Sequence, residues 1–122
     1  MNILKGKRMN QIEKLVQFID EKQGQDIEIL DMRPVSPFMD FMIVTHVSNP
    51  RLLLALSEYL REYFNENSID FRPFDKNEES GWILIDANDI IVHLFLKEQR
   101  DLYQIEKLWK DTLIKRENIS SL

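Results

Sequence analysis

The stretch WILIDANDIIVHLFL, residues 82–96, limits the possible folds more than any other part of the chain. Two aliphatic runs flank the four residues Asp86, Ala87, Asn88 and Asp89. Each run is rich in β-branched side chains and short for a core helix, which is the pattern of a buried strand. Asn tolerates the left-handed backbone that tight turns demand. The stretch therefore predicts a hairpin with strands at about 82–86 and 90–96, turned at Ala87 and Asn88, with Asp86 and Asp89 flanking the turn. A lone hairpin is marginal in water, so the rest of the chain must supply more sheet and a cover for it.

Upstream, Ile12, Leu15, Val16 and Ile19 fall at helical spacing from Asn10 to about Lys22, and Gly24 supplies a stop signal. DIEILDM then reads as a strand, and the two prolines of RPVSPF end it. FMDFMIVTHV reads as a second, largely buried strand. SNP opens a helix: Ser48 or Asn49 can cap it and Pro50 suits its first turn. Its apolar face runs through Leu52, Leu53, Leu56, Tyr59, Leu60 and Tyr63. IDFRPF, residues 69–74, is expected to be a short edge strand, followed by the polar loop DKNEESG. A last helix from about Arg100 to Asp111 would bury Leu102, Ile105, Leu108 and Trp109 and leave Tyr103 off that face. These elements predict one domain at residues 10–111, between an N-terminal extension at 1–9 and a tail at 112–122 that extends the helix or frays. The fold class is α/β of the mixed α+β kind, with a mixed sheet of about five strands and helices packed on it.

With 122 residues there is room for one core and no more. The chain has no cysteine, which removes disulfides, thiolate metal sites and cysteine nucleophiles together. No apolar run reaches the ~20 residues of a membrane span, and no secretory signal opens the chain, so the cytoplasm is the expected compartment. The net charge is −5, with basic residues scattered among more numerous acids. Direct nucleic-acid recognition is not expected of such a surface, whereas a basic protein partner is favoured.

The candidate chemistry is sparse. Asp86 and Asp89 either cap the hairpin or act with His93 as ligands in a metal-dependent nucleotide-transfer site. No glycine-rich phosphate loop accompanies them, and the chain holds three glycines in all. Ser36, Ser48, Ser57 and Ser80 lack the setting of a nucleophile elbow. His93, between Ile91 and Phe95 on one strand face, suits a hydrogen-bonded structural or interface role; His46 is less specific still. Trp82 and Tyr103 stand where aromatics serve as interface anchors. From the residues alone, a binder is favoured over an enzyme, with no catalytic group, cofactor or metal expected.

The segment from Gly81 to Trp109 resembles the Iojap-related ribosomal silencing factors. In that family a tryptophan opens an aliphatic strand ending in aspartate, and a short turn ends in a second aspartate. An aliphatic strand ending in valine, histidine, an aliphatic residue and Phe or Met follows. Trp82, Ile83, Leu84, Ile85, Asp86, Asp89, Ile90, Ile91, Val92, His93, Leu94 and Phe95 match it, as do Glu98, Arg100, Tyr103, Glu106, Leu108 and Trp109 beyond. GQDIEILDM and SPFMDFMIV, with Ser36 and Asp40, resemble the first two strands. The chain departs from the pattern at Ala87 and Asn88, at Lys97, and at His46, where the family usually has glycine. The resemblance implies a nucleotidyltransferase-like topology without the activity. It also implies binding to the large ribosomal subunit, chiefly through its ribosomal protein fourteen, in a way that obstructs subunit joining when nutrients are scarce. Trp82, Asp86, Asp89, His93, Arg100 and Tyr103 are the expected partner-binding residues. The exposed aromatics would equally serve a homodimer.

Overall fold

The hairpin forms, with its turn one residue later than expected. The computed structural model describes residues 10–75 and 78–122, so the N-terminal extension at 1–9 lies outside the described residues, as do two residues of the polar loop. Strand β3 (Trp82–Ala87) pairs antiparallel with β4 (Ile90–Leu96), leaving Asn88 and Asp89 as the turn. Asn88 takes the left-handed conformation (φ +64°), and its N–H donates to Asp86 Oδ1 at 3.0 Å. Asp86 thus caps the turn, as Asx residues do.

Helix α1 (Gln11–Glu21) begins with a capping box: Asn10 Oδ1 accepts from the Glu13 N–H, and the Asn10 N–H donates back to Glu13 Oε1. Its end is subtler than a glycine stop. The left-handed residue is Gln23 (φ +74°), while Gly24 is required for room. A Cβ on Gly24 would collide with the Ile19 side chain and lie 3.0 Å from Thr45 Oγ1. Helix α2 (Pro50–Glu66) starts as expected, with Asn49 Oδ1 accepting from Leu52 N–H and Pro50 in the first turn.

Strands β1 (Gln25–Asp31) and β2 (Phe41–Val47) form where expected, and the sheet runs β3-β4-β2-β1-β5. β2 and β4 are parallel, from Phe41 opposite Ile90 to Val47 opposite Leu96; the other pairs are antiparallel. Helix α2 makes the crossover that a parallel pair needs. One sheet face carries Ile29, Ile43, Ile83, Ile85, Val92 and Leu94 against α1 and α2, forming the main core. The opposite face carries Leu30, Met32, Met42, Val44 and Phe95 in a smaller cluster with Met39, Trp82 and Ile105. The strict alternation along β2 and β4 divides the two sets.

Three expectations fail. Residues 69–74 are not a strand: the segment runs beside the β3 edge and makes one backbone bond to it, Arg72 N–H to Asp86 O at 2.9 Å. The fifth strand, β5 (Leu113–Ile114), comes instead from the tail and pairs with β1 at Ile29 and Leu30. The tail neither extends the helix nor frays. It packs Ile119 into the main core and is tied to α1 by Asn10 Nδ2 donating to Ile119 O and by an Arg116–Asp20 ion pair. Last, the final helix breaks. α3 (Lys97–Tyr103) stops at Gln104, whose φ of +47° starts the short α4 (Ile105–Leu108). Leu102, Leu108 and Trp109, expected in the core, are exposed in consequence, and Ile105 alone packs inward.

An aromatic surface held from beneath

Trp82, His93, Phe95 and Tyr103 meet on the second sheet face. The register places Trp82 opposite Phe95, and their rings stack at 5.1 Å between centroids, 28° apart. The His93 ring lies nearly parallel to Phe95 (12°), and Tyr103 approaches Trp82 at 4.9 Å from the end of α3. His93 is 5% exposed and Phe95 fully buried, whereas Tyr103 is 51% exposed and Leu84, on the same strand face as Trp82, is 43% exposed. The cluster is thus buried at its base and open at its top.

The indole has one polar group, and it is used inside the protein: Trp82 Nε1–H donates to His93 Nδ1 at 3.1 Å. An acceptor Nδ1 requires a neutral imidazole with its proton on Nε2. Burial favours that form, lowering the His93 pKa from 6.5 to about 4 against a weak opposing pull from Glu106.

The two aspartates serve the turn and its neighbours. Asp86 accepts from Asn88 N–H and pairs with Arg72 Nε at 3.3 Å. Asp89 is exposed, and its carbonyl accepts from the N–H groups of Asp40 and Phe41, fastening the loop that enters β2. His93 already has its Nδ1 engaged. Among the described residues, no three His, Asp or Glu side chains form a group able to hold a metal ion, so Asp86, Asp89 and His93 are not gathered as ligands.

Arg100, expected at the contact surface, is buried at 6% exposure. Its Nε donates to Glu106 Oε1 at 2.9 Å, and its Nη1 donates to His46 Nδ1 at 2.9 Å and to Gln25 O at 3.2 Å. Burial and the adjacent guanidinium lower the His46 pKa, so this ring is neutral too. Arg100 and Glu106 stand six apart, where one continuous helix would turn them to different faces. The break at Gln104 brings them together. Sequence reasoning missed His46 and Glu106 as partners of Arg100; the one signal available was His46 itself, a polar residue near the end of the buried strand β2. The network opens onto a polar cleft of about 520 Å³, where Lys97–Asp101 and Arg116–Asp20 pairs also satisfy one another.

A mixed five-stranded sheet with α1 and α2 on one face, and α3 and α4 beside a pre-shaped aromatic patch on the other, defines the class of this protein. The pattern of the family described as "Ribosomal silencing factor during starvation" matches residues 6–122, and the chain belongs to that family. It is 33% identical over 92 residues to the ribosomal silencing factor of Bacillus subtilis, covering 75% of this chain and 78% of that protein. A crystal structure from Chromobacterium violaceum superposes with a TM-score of 0.75 at 31% identity, covering 85% of this chain and 88% of that one. A mouse protein named for mitochondrial assembly of the ribosomal large subunit is 27% identical over 101 residues, covering 80% of this chain and 44% of its own length. No helix among the described residues is long and apolar enough to cross a membrane.

Proposed function

We propose that this chain is a cytoplasmic translation repressor that acts by occupancy and performs no chemistry. It binds the large ribosomal subunit, chiefly through ribosomal protein fourteen, and blocks joining of the small subunit when nutrients are limiting. Family membership supports the reading. The observation that carries it is the open aromatic patch of Trp82, Tyr103 and Leu84 beside the carboxylates of Asp86 and Asp89. Aromatic anchors rimmed by acids fit a basic protein surface, and the net charge of −5 steers the chain toward one. An interface of about 800 Å² per partner lies within reach of so small a domain.

The test is sedimentation of the purified chain with isolated large and small subunits, followed by an assay of their joining. Co-migration with the large subunit and reduced joining are expected. A folded chain that stays at the top of the gradient at low salt defeats the proposal.

A further inference from the structure

Two aromatic residues of the patch differ in a way that assigns them different work. Trp82 is half-buried, with Tyr103 beside it and Phe95 beneath. His93 is covered, two residues before Phe95 on the same strand, and faces Leu84 across the hairpin. It cannot present its ring to a partner without dismantling the face. What it does reach is the Trp82 indole N–H, 3.1 Å from its Nδ1.

The geometry points to His93 as a positioning residue that fixes the angle of the Trp82 indole for the binding partner and makes no contact with that partner itself. The inference rests on the ribosome-binding reading above and says how its surface is built. Three contacts hold the indole: a stack on Phe95, the tilted Tyr103 ring, and the hydrogen bond to His93. The stack and the Tyr103 contact alone would let the ring slide or flip; a directional bond to a ring itself fixed parallel to Phe95 does not. The neutral imidazole that this bond requires is the form burial favours near neutral pH.

This arrangement also defines the partner. The one side-chain donor of Trp82 is satisfied internally, so the indole offers carbon surface and needs no acceptor opposite it. Asp86 and the exposed Asp89 close the hairpin that Trp82 opens. The complementary surface then lays apolar or methylene surface on the indole, and places separate lysines or arginines further along, toward the exposed Asp89 at the far end of the hairpin. A side chain already fixed before docking loses little freedom on binding, which is worth about three- to tenfold in affinity.

The experiment is a double-mutant cycle on affinity for isolated large subunits, using the full chain, Trp82→Phe, His93→Phe and the double variant. Folding of each is verified by circular dichroism. Each single variant should weaken binding about three- to tenfold, and the double variant should be no weaker than the worse single one. His93→Asn, whose Oδ1 falls near the position of Nδ1, should keep most of the affinity. Losses that multiply in the double variant would mean His93 touches the partner independently, and would overturn the proposal. So would His93→Phe binding as tightly as the unmodified chain. An unmodified chain that does not bind at all defeats the ribosome reading, and this proposal falls with it. A measurement that needs no variant to fold is exchange of the Trp82 indole proton by NMR. Protection in the free protein is expected; exchange at the rate of an exposed indole overturns the assignment.

Discussion

Replacing Arg100 with Met keeps an unbranched stem in place and removes the charge. The change deletes three hydrogen bonds at once, to Glu106, His46 and the Gln25 carbonyl. The heaviest consequence falls on Glu106. Its Oε2 has no hydrogen-bond partner among the described residues, so loss of Arg100 leaves both carboxylate oxygens unpaired. Breaking one side of a buried ion pair costs about 3–5 kcal/mol. The Glu106 side chain is 17% exposed, and water screens part of the charge, which places the cost near about 3 kcal/mol. For a domain of this size that is a fall of about 10–15 °C in melting temperature. Urea unfolding at pH 7, followed by far-ultraviolet circular dichroism, measures it directly. The Arg100→Met/Glu106→Met double variant should return to within about 1 kcal/mol of the unmodified chain, because no charge is then left buried. A single variant that costs less than about 1 kcal/mol, or a double variant no better than the single, would refute the reasoning. Either result would place the work of Arg100 outside the ion pair.

Two further outcomes are expected. Unfolded His93 takes up its proton near 6.5 and folded His93 near 4, so between these values the unfolded state binds more protons. Stability should therefore be complete above about pH 6.5 and fall by about 3 kcal/mol as the pH drops toward 4. The lowered pKa of His46 acts in the same direction. Urea midpoints at pH 4.5 and 7.5 will show it, and the difference should shrink in His93→Asn; an equal difference in both proteins argues against His93 as the source. Gly24→Ala places a methyl group against Ile19 and Thr45 and should cost about 1–3 kcal/mol, read as a lower melting temperature. An unchanged melting temperature would show that β2 and α1 can separate there without loss.

The parts of this molecule that follow from local pattern were legible in its sequence. Paired aliphatic runs and turn chemistry gave the hairpin, helical spacing gave α1, and the Asn49-Pro50 pair gave the start of α2. Misreadings arose where distant residues decide. Nothing in IEKLWKDT marks the break at Gln104, which is neither glycine nor proline, so the periodicity of Leu102, Leu108 and Trp109 suggested a buried face that never forms. IDFRPF has strand composition, yet β3 accepts one backbone bond from it, while the two-residue β5 is specified by its place beside β1. At the site, Trp82 and Tyr103 could be read as surface aromatics from their positions on elements. Arg100 could not be placed, because its partners lie 75, 54 and 6 residues away.

The two margins of the sheet also decide how another chain can approach it. Along β3, the segment at 69–74 leans on the margin and occupies the Asp86 carbonyl. Along β1, the outer margin is covered by β5 at Ile29 and Leu30, and nearer Gln25 the strand itself is bent, its register against β2 irregular and Asp26 at φ +45°. Neither side offers a long, straight row of free amides on which a stranger's strand could add itself, the usual seed of aggregation in small sheet proteins. An approaching chain is turned away from the backbone and meets side chains instead. Contact is thereby confined to a face whose shape can discriminate between partners.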